Sequence, residues 1–158
     1  MDTVNVRELK RELKDKSEEE LIALCLRLAK FKKENKELLT YLLFESYDES
    51  AYVSGIKDEI DEHFDTINTQ TYYYIKKSVR KVLRLIRKYA RYSDSKETDI
   101  ELRLYFCQKL HDFRPSIQRN RMLMNIYNRE IEGIKKKISA LHEDLQFDYQ
   151  SALDELTF

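Results

Sequence analysis

The chain has 158 residues, with 29 bases, 29 acids, two glycines and one proline. So little Gly and Pro leaves too few tight turns for a β-sandwich or barrel and no means of building a glycine-rich phosphate loop, so helices remain. A hydrophobic share of 42%, with eleven tyrosines and seven phenylalanines, is enough for a core and excludes a wholly disordered chain despite the charge content.

The expectation is a single all-α domain over 1–158. The longest apolar stretches, such as 21–29 (LIALCLRLA), are broken by charge well short of the ~18 residues a membrane span requires. The opening MDTVNVRELKRELK lacks the apolar segment of a secretory signal, which points to the cytoplasm. Cys25 and Cys107 are far apart, each beside Leu or aromatic residues at helical spacing, and read as buried, reduced thiols.

In chain order, Val6, Leu9 and Leu13 draw one apolar stripe and predict a short helix over 3–15. Ser17 followed by Glu20 forms a capping box, in which the serine oxygen accepts the Glu20 amide and the glutamate returns to the serine amide. A second helix follows through Leu21, Leu24, Cys25, Leu28 and Phe31 and ends near Phe44. From Glu45 to Asp65, eight acids stand against the one base Lys57 while Tyr52, Ile56, Ile60 and Phe64 keep helical spacing, giving an acidic amphipathic helix.

Asn68 to Thr71 supply a polar break and a cap for a fourth helix, whose apolar stripe is Tyr72, Ile75, Val79, Val82, Leu83, Ile86 and Ala90. At 100° per residue its bases Lys76, Lys77, Arg80, Lys81, Arg84, Arg87, Lys88 and Arg91 all fall within roughly 140° opposite that stripe, with no acid among them. Ser93 to Ser95 cap the next helix, 97–113, which is apolar most of the way round and belongs at the centre. Pro115 stops it and can open the following helix.

That helix, 116–142, carries a regular seam of Ile117, Asn120, Met124, Tyr127, Ile131, Ile134, Ile138 and Leu141. Leu145, Tyr149, Leu153 and Leu156 add a terminal helix, and the pattern leaves open whether 116–156 is one helix or two. The count is thus six or seven helices, arranged as a bundle or an irregular array.

The run from Leu9 to Lys16, then Ser17-Glu18-Glu19-Glu20-Leu21 and the lysine-rich stretch ending in Tyr41-Leu42, resembles the opening of a bacterial family of small all-helical proteins of unknown function. Members open with a short Leu/Lys helix, then Ser-x-Glu-Glu-Leu, then a lysine-rich helix ending in Tyr-Leu. A weaker similarity lies in the basic helix and in Leu102-x-Leu104-Tyr105-Phe106. The resemblance implies an all-α fold in the cytoplasm and implies no activity or functional residue.

No constellation of catalytic residues stands out. His63, His111 and His142 lie on three different helices without a ligand pair, and Glu59 with His63 reads as ordinary surface, so no metal or other cofactor is expected. Both glycines, Gly55 and Gly133, fall inside helical patterns, so no strained nucleophile turn exists. The chain reads as a non-enzymatic protein that binds a macromolecular partner, a protein, through charged helix faces.

The alternative is nucleic-acid binding through the basic face 76–91, with the tyrosines at its ends stacking on bases. Against it, the acidic helix 45–65 can fold back to neutralise that face, leaving Tyr72, Tyr73 and Tyr74 to cover the junction, and the net charge is zero. A site within the bundle interior is the remaining enzymatic option. If the 116–142 seam is broader than its intrachain partners cover, a homodimer buries the surplus.

Overall fold

A computed structural model describes all residues, 1–158, as eight α-helices joined by short connections, without strands. The helices gather into two compact units, Met1–Phe44 and Glu45–Phe158.

In the first unit, α1 (Val6–Lys14) opens with a capping box between Asn5 and Glu8, and α2 (Glu18–Phe31) with the expected Ser17/Glu20 box. Ser17 accepts the Glu20 amide at 3.2 Å, and its own amide donates to Glu20 Oε2 at 2.9 Å. The long second helix of the sequence reading is interrupted, which raises the count to eight. Lys32 is extended, with φ −140° and ψ 148°, and separates α2 from α3 (Lys33–Thr40). The Asn35 side chain makes this break tolerable, because its Nδ2 donates to Leu28 O at 2.8 Å in place of the amide an unbroken helix would offer. Tyr41–Glu45 form a π-helical turn.

Little is buried in this unit. Tyr41 is its one buried apolar side chain, while Val6, Leu9, Leu13, Leu28, Phe31 and Phe44 are exposed. Cys25 is exposed too, contrary to the buried thiol expected for it.

The second unit carries the core. It comprises α4 (Glu49–Asp65), α5 (Tyr72–Ser93), α6 (Lys96–His111), α7 (Arg121–Ser139) and α8 (Glu143–Asp154). Asp48, Thr71, Ser95, Asn120 and His142 are the N-caps, each side chain accepting a first-turn amide. Helix α6 takes the central place its composition predicts, packed against α4, α5 and α7. Its Ile100, Leu102, Phe106, Cys107 and Leu110 are fully buried. Burial pushes the Cys107 thiol up to about 12, so this cysteine is a small core hydrophobe without reactive character.

The 116–156 region resolves into three pieces. A 3-10 turn at Ile117–Arg119 precedes α7, and Asn120, read as a seam residue, is instead the cap that accepts from Met122 and Leu123. Residues 140–142 then break α7 from α8, with Gln146 Nε2 donating to the freed Leu141 carbonyl at 2.7 Å. The buried seam of α7 is Leu123, Tyr127, Glu130, Ile134 and Ile138. It is covered within the unit, where α6 and α8 pack on α7 and Tyr127 donates to Leu156 O. Met124 and Ile131, read as seam positions, are only half-buried.

Phe106 lies at the centre, with its ring 6.1 Å from that of Phe64 of α4. Phe106→Ala removes most of a side chain that cannot be replaced by collapse, and it is expected to destabilise the protein by about 3–5 kcal/mol. Urea unfolding followed by circular dichroism measures this, and a loss below about 1 kcal/mol, the scale of an ordinary surface change, contradicts the central placement.

Candidate nucleic-acid interface

Helix α5 displays the eight bases as one stripe because its stripe of Ile75, Val79, Val82, Leu83, Ile86 and Ala90 is buried. Lys77, Arg80, Lys81, Arg84, Arg87 and Arg91 are exposed, while Lys76 and Lys88 are half-buried. Lys76 Nζ reaches Met122 Sδ at 3.4 Å, and Lys88 Nζ stands 4.7 Å from the centre of the Tyr89 ring. Arg87 pairs with Glu130 of α7 at 2.8 Å. Lys77, Arg80, Lys81, Arg84 and Arg91 form no ion pair.

The acidic helix does not neutralise these five. Helix α4 packs through Tyr52, Val53, Ile56, Ile60 and Phe64, and two of its charged side chains, Lys57 and Asp61, pair with α6. Asp61 accepts from the Tyr105 hydroxyl at 2.7 Å and pairs with Lys109 at 2.9 Å, and Lys57 pairs with Glu101. Burial and the hydrogen bond to Asp61 push the Tyr105 phenol up to about 12. Helix α4 lies on α5 by its apolar face, with Tyr52 donating to Tyr89 O at 3.0 Å.

Between α5 and α7 runs a groove of about 310 Å³ lined by Arg80, Arg84, Arg87, Arg129, Met122 and Glu130 among others. Arg87 also lines a second cavity of about 630 Å³, where Arg91, Lys96, Lys136 and Lys137 meet. The two are therefore adjacent along α5. From Lys76 to Arg91 the stripe is about 22 Å long.

Under this surface lies a buried ionic network. Glu130, 3% exposed, accepts from Arg87 of α5 and from Arg103 of α6 with separate carboxylate oxygens. Arg103 also donates to Asp99, which accepts from Lys137 of α7 at 2.7 Å. Burial raises the Asp99 carboxyl, but the hydrogen bonds from Lys137 and Arg103 outweigh it and hold the group below the usual carboxylate range. Burial likewise works against the Arg103 charge, and its bonds to Asp99 and Glu130 keep it fully protonated.

Sequence reading missed Glu130. It sits three residues after Tyr127 and four before Ile134, a seam spacing that an adjacent isoleucine, Ile131, claims equally well. The signal that selects Glu130 lies on other helices, in Arg87 and Arg103.

Tyr72, Tyr73 and Tyr74 do not cover a junction with α4 as a group. Tyr72 donates to Ser116 O at 3.0 Å, whereas Tyr73 and Tyr74 are 63% and 43% exposed and meet edge to face. On the helical wheel Tyr73 falls at the middle of the basic arc.

No three His, Cys, Asp or Glu side chains gather to hold a metal ion, and His63 stands 4.0 Å from Glu59 alone. No helix is long and apolar enough to cross a membrane.

The network makes two testable statements. Glu130→Ala leaves the Arg103 guanidinium, whose side chain is 14% exposed, with Asp99 as its remaining ion-pair partner and should cost about 1.5–3 kcal/mol, while a Glu130→Leu/Arg103→Leu pair should recover part of it. Equal losses in the single and double variants would count against the network. Asp99 has a folded pKa below its unfolded one, so its contribution is complete above the unfolded value near 4 and is lost as pH falls through the lower folded value. Thermal midpoints of the wild type should therefore fall more steeply from about pH 5 to pH 3 than those of Asp99→Asn; parallel curves would contradict this.

No protein-family model, no curated protein and no solved structure matches this chain.

Proposed function

We propose that the protein binds single-stranded nucleic acid along α5. The observation that carries this reading is the set of five exposed cations, Lys77, Arg80, Lys81, Arg84 and Arg91, that no acid of the chain pairs. A folded protein of zero net charge ordinarily intersperses its charges, so a stripe of one sign some 22 Å long favours a polyanion. A stripe of this length spans several consecutive phosphates of one strand.

Exposed Tyr73 and Tyr74 at one end of the stripe favour a single strand over a duplex, since unpaired bases offer their faces to aromatic rings. The groove toward α7 adds Arg129 to the same surface. Binding is electrostatic and tolerant of sequence, because nothing in the arrangement is shaped to read base edges. This was the second of the two sequence readings. It moves ahead because no acid of α4 forms an ion pair with these five cations.

A protein-interaction module stays as the second reading, favoured by the exposed apolar side chains of Met1–Phe44. A second copy of the chain is the occupant this surface suits, since thirteen exposed Val, Leu, Ile and Phe side chains offer on the order of the 800 Å² that one partner gives to a standard interface. Light scattering should then show a dimer that Leu9→Asp/Leu13→Asp converts to monomer, and a monomer at all concentrations would remove this reading.

For the first reading, fluorescence anisotropy with a labelled single-stranded RNA is the test. Replacing Arg80, Lys81 and Arg84 with Gln should lower the slope of log affinity against log salt by roughly 2, at ~0.7 per contact on a single strand, without loss of fold. Arg87 is left in place because it pairs with buried Glu130. Tyr73→Ala should weaken binding by about 1–3 kcal/mol. An unchanged slope in the triple variant would end the proposal.

A further inference from the structure

The stripe on α5 ends in the larger cavity, and the two ends of the helix differ in chemistry. Tyr73 and Tyr74 stand at the first, and at the second Arg87, Arg91, Lys96, Arg103, Lys136 and Lys137 converge from α5, α6 and α7 around a space of about 630 Å³. Two acids line it, Asp94 and Asp99. Asp99 is already satisfied by Arg103 and Lys137, and Arg87 and Arg103 are satisfied by Glu130. Arg91, Lys96 and Lys136 remain without ion pairs and have only Asp94 to offset them.

Two features separate this cavity from the rest of the stripe. Its free cations come from three helices and converge on one space, whereas along α5 they succeed one another at helical intervals. It also contains the start of α6, Ser95 and Lys96, where the positive end of the helix dipole adds to the field. A line of cations suits the single charges of successive phosphodiesters. A convergent set suits a phosphomonoester, which carries about 1.5 to 2 negative charges at neutral pH and three terminal oxygens. The volume lies within the roughly 300–1,000 Å³ typical of small-molecule sites and leaves room for the nucleotide that bears the phosphate.

We infer that this cavity holds the terminal phosphate of the bound strand, so that the protein prefers phosphorylated ends over hydroxyl ends. The inference rests on the nucleic-acid reading of α5. Arg91 and Lys136 grip the monoester oxygens from the two walls, Lys96 closes the α6 side, and the buried network fixes the floor. The preceding phosphodiesters follow Arg84 and Arg80 toward Tyr73.

The test compares one short polypyrimidine RNA in three forms, with 5′-phosphate, with 3′-phosphate and with hydroxyl at both ends, each binding measured by anisotropy at about 50 mM salt. One phosphorylated form should bind about tenfold or more tightly than the hydroxyl form, the effect of one added charge-assisted hydrogen bond. Lys96→Gln/Lys136→Gln, which leaves the α5 cations intact, should erase that preference while its affinity for the hydroxyl form stays close to that of wild type, since that form brings no phosphomonoester to the two lysines. A nucleoside monophosphate should compete away the increment alone. Equal binding of all three RNAs overturns the cavity assignment and leaves the α5 reading standing. Absence of binding by every RNA overturns both. If the nucleoside monophosphate binds by itself where no RNA does, the phosphate belongs to a free nucleotide and the strand-end proposal fails.

Discussion

The second unit depends on one carboxylate. Glu130 occupies a seam position on α7 that packing alone would give to an aliphatic residue, and it is held there by guanidinium groups from two other helices. A buried acid of this kind is costly unless its bonding is complete, and here each oxygen has a partner. Because Arg87 comes from α5 and Arg103 from α6, a single side chain ties three helices together, in the rotation that the buried stripe of α5 also requires. The rotation of α5 decides which of its faces meets solvent. Arg87, at the edge of the basic arc, is anchored toward α7, and the remaining cations follow outward from it.

The core and the charged surface are therefore parts of one arrangement. Helix α6 is apolar enough around its circumference to be surrounded by α4, α5 and α7, and Asp99, Glu101, Arg103 and Lys109 among its charged residues join neighbours. Arg103 and Asp99 reach α7, and Glu101 reaches Lys57 of α4. The ion pairs between helices of the unit join α4 to α6, α6 to α7 and Arg87 of α5 to α7, and five cations of the α5 stripe stay unpaired in a chain whose formal charge is zero. Net charge is a sum over the molecule, whereas a polyanion meets one face.

Much of this was legible beforehand. The Ser17 capping box, the central place of α6 and the separation of α5 into apolar and basic faces all follow from residue order, because they depend on neighbours three and four positions apart. What was not legible depends on contacts distant in sequence. Lys32 breaks a periodic run with no Gly or Pro, and the break is sustained by Asn35 bonding back to Leu28. Glu130 displaces Ile131 from the seam because Arg87 and Arg103 are there to receive it, 43 and 27 positions away. The partners of Glu49 and Asp61 on α4 were likewise hidden, since a wheel shows which residues share a face and not which neighbour that face will meet.

The central claim is that the unpaired face of α5 is a binding surface. Backbone amide spectra of the isotopically labelled protein, recorded during titration with a short single-stranded RNA, test it residue by residue. The account predicts shifts concentrated in Tyr73 to Arg91 and in the facing residues Arg129 to Lys137, with Met1–Phe44 unmoved. Shifts confined to Met1–Phe44, or none at saturating RNA and low salt, would contradict it.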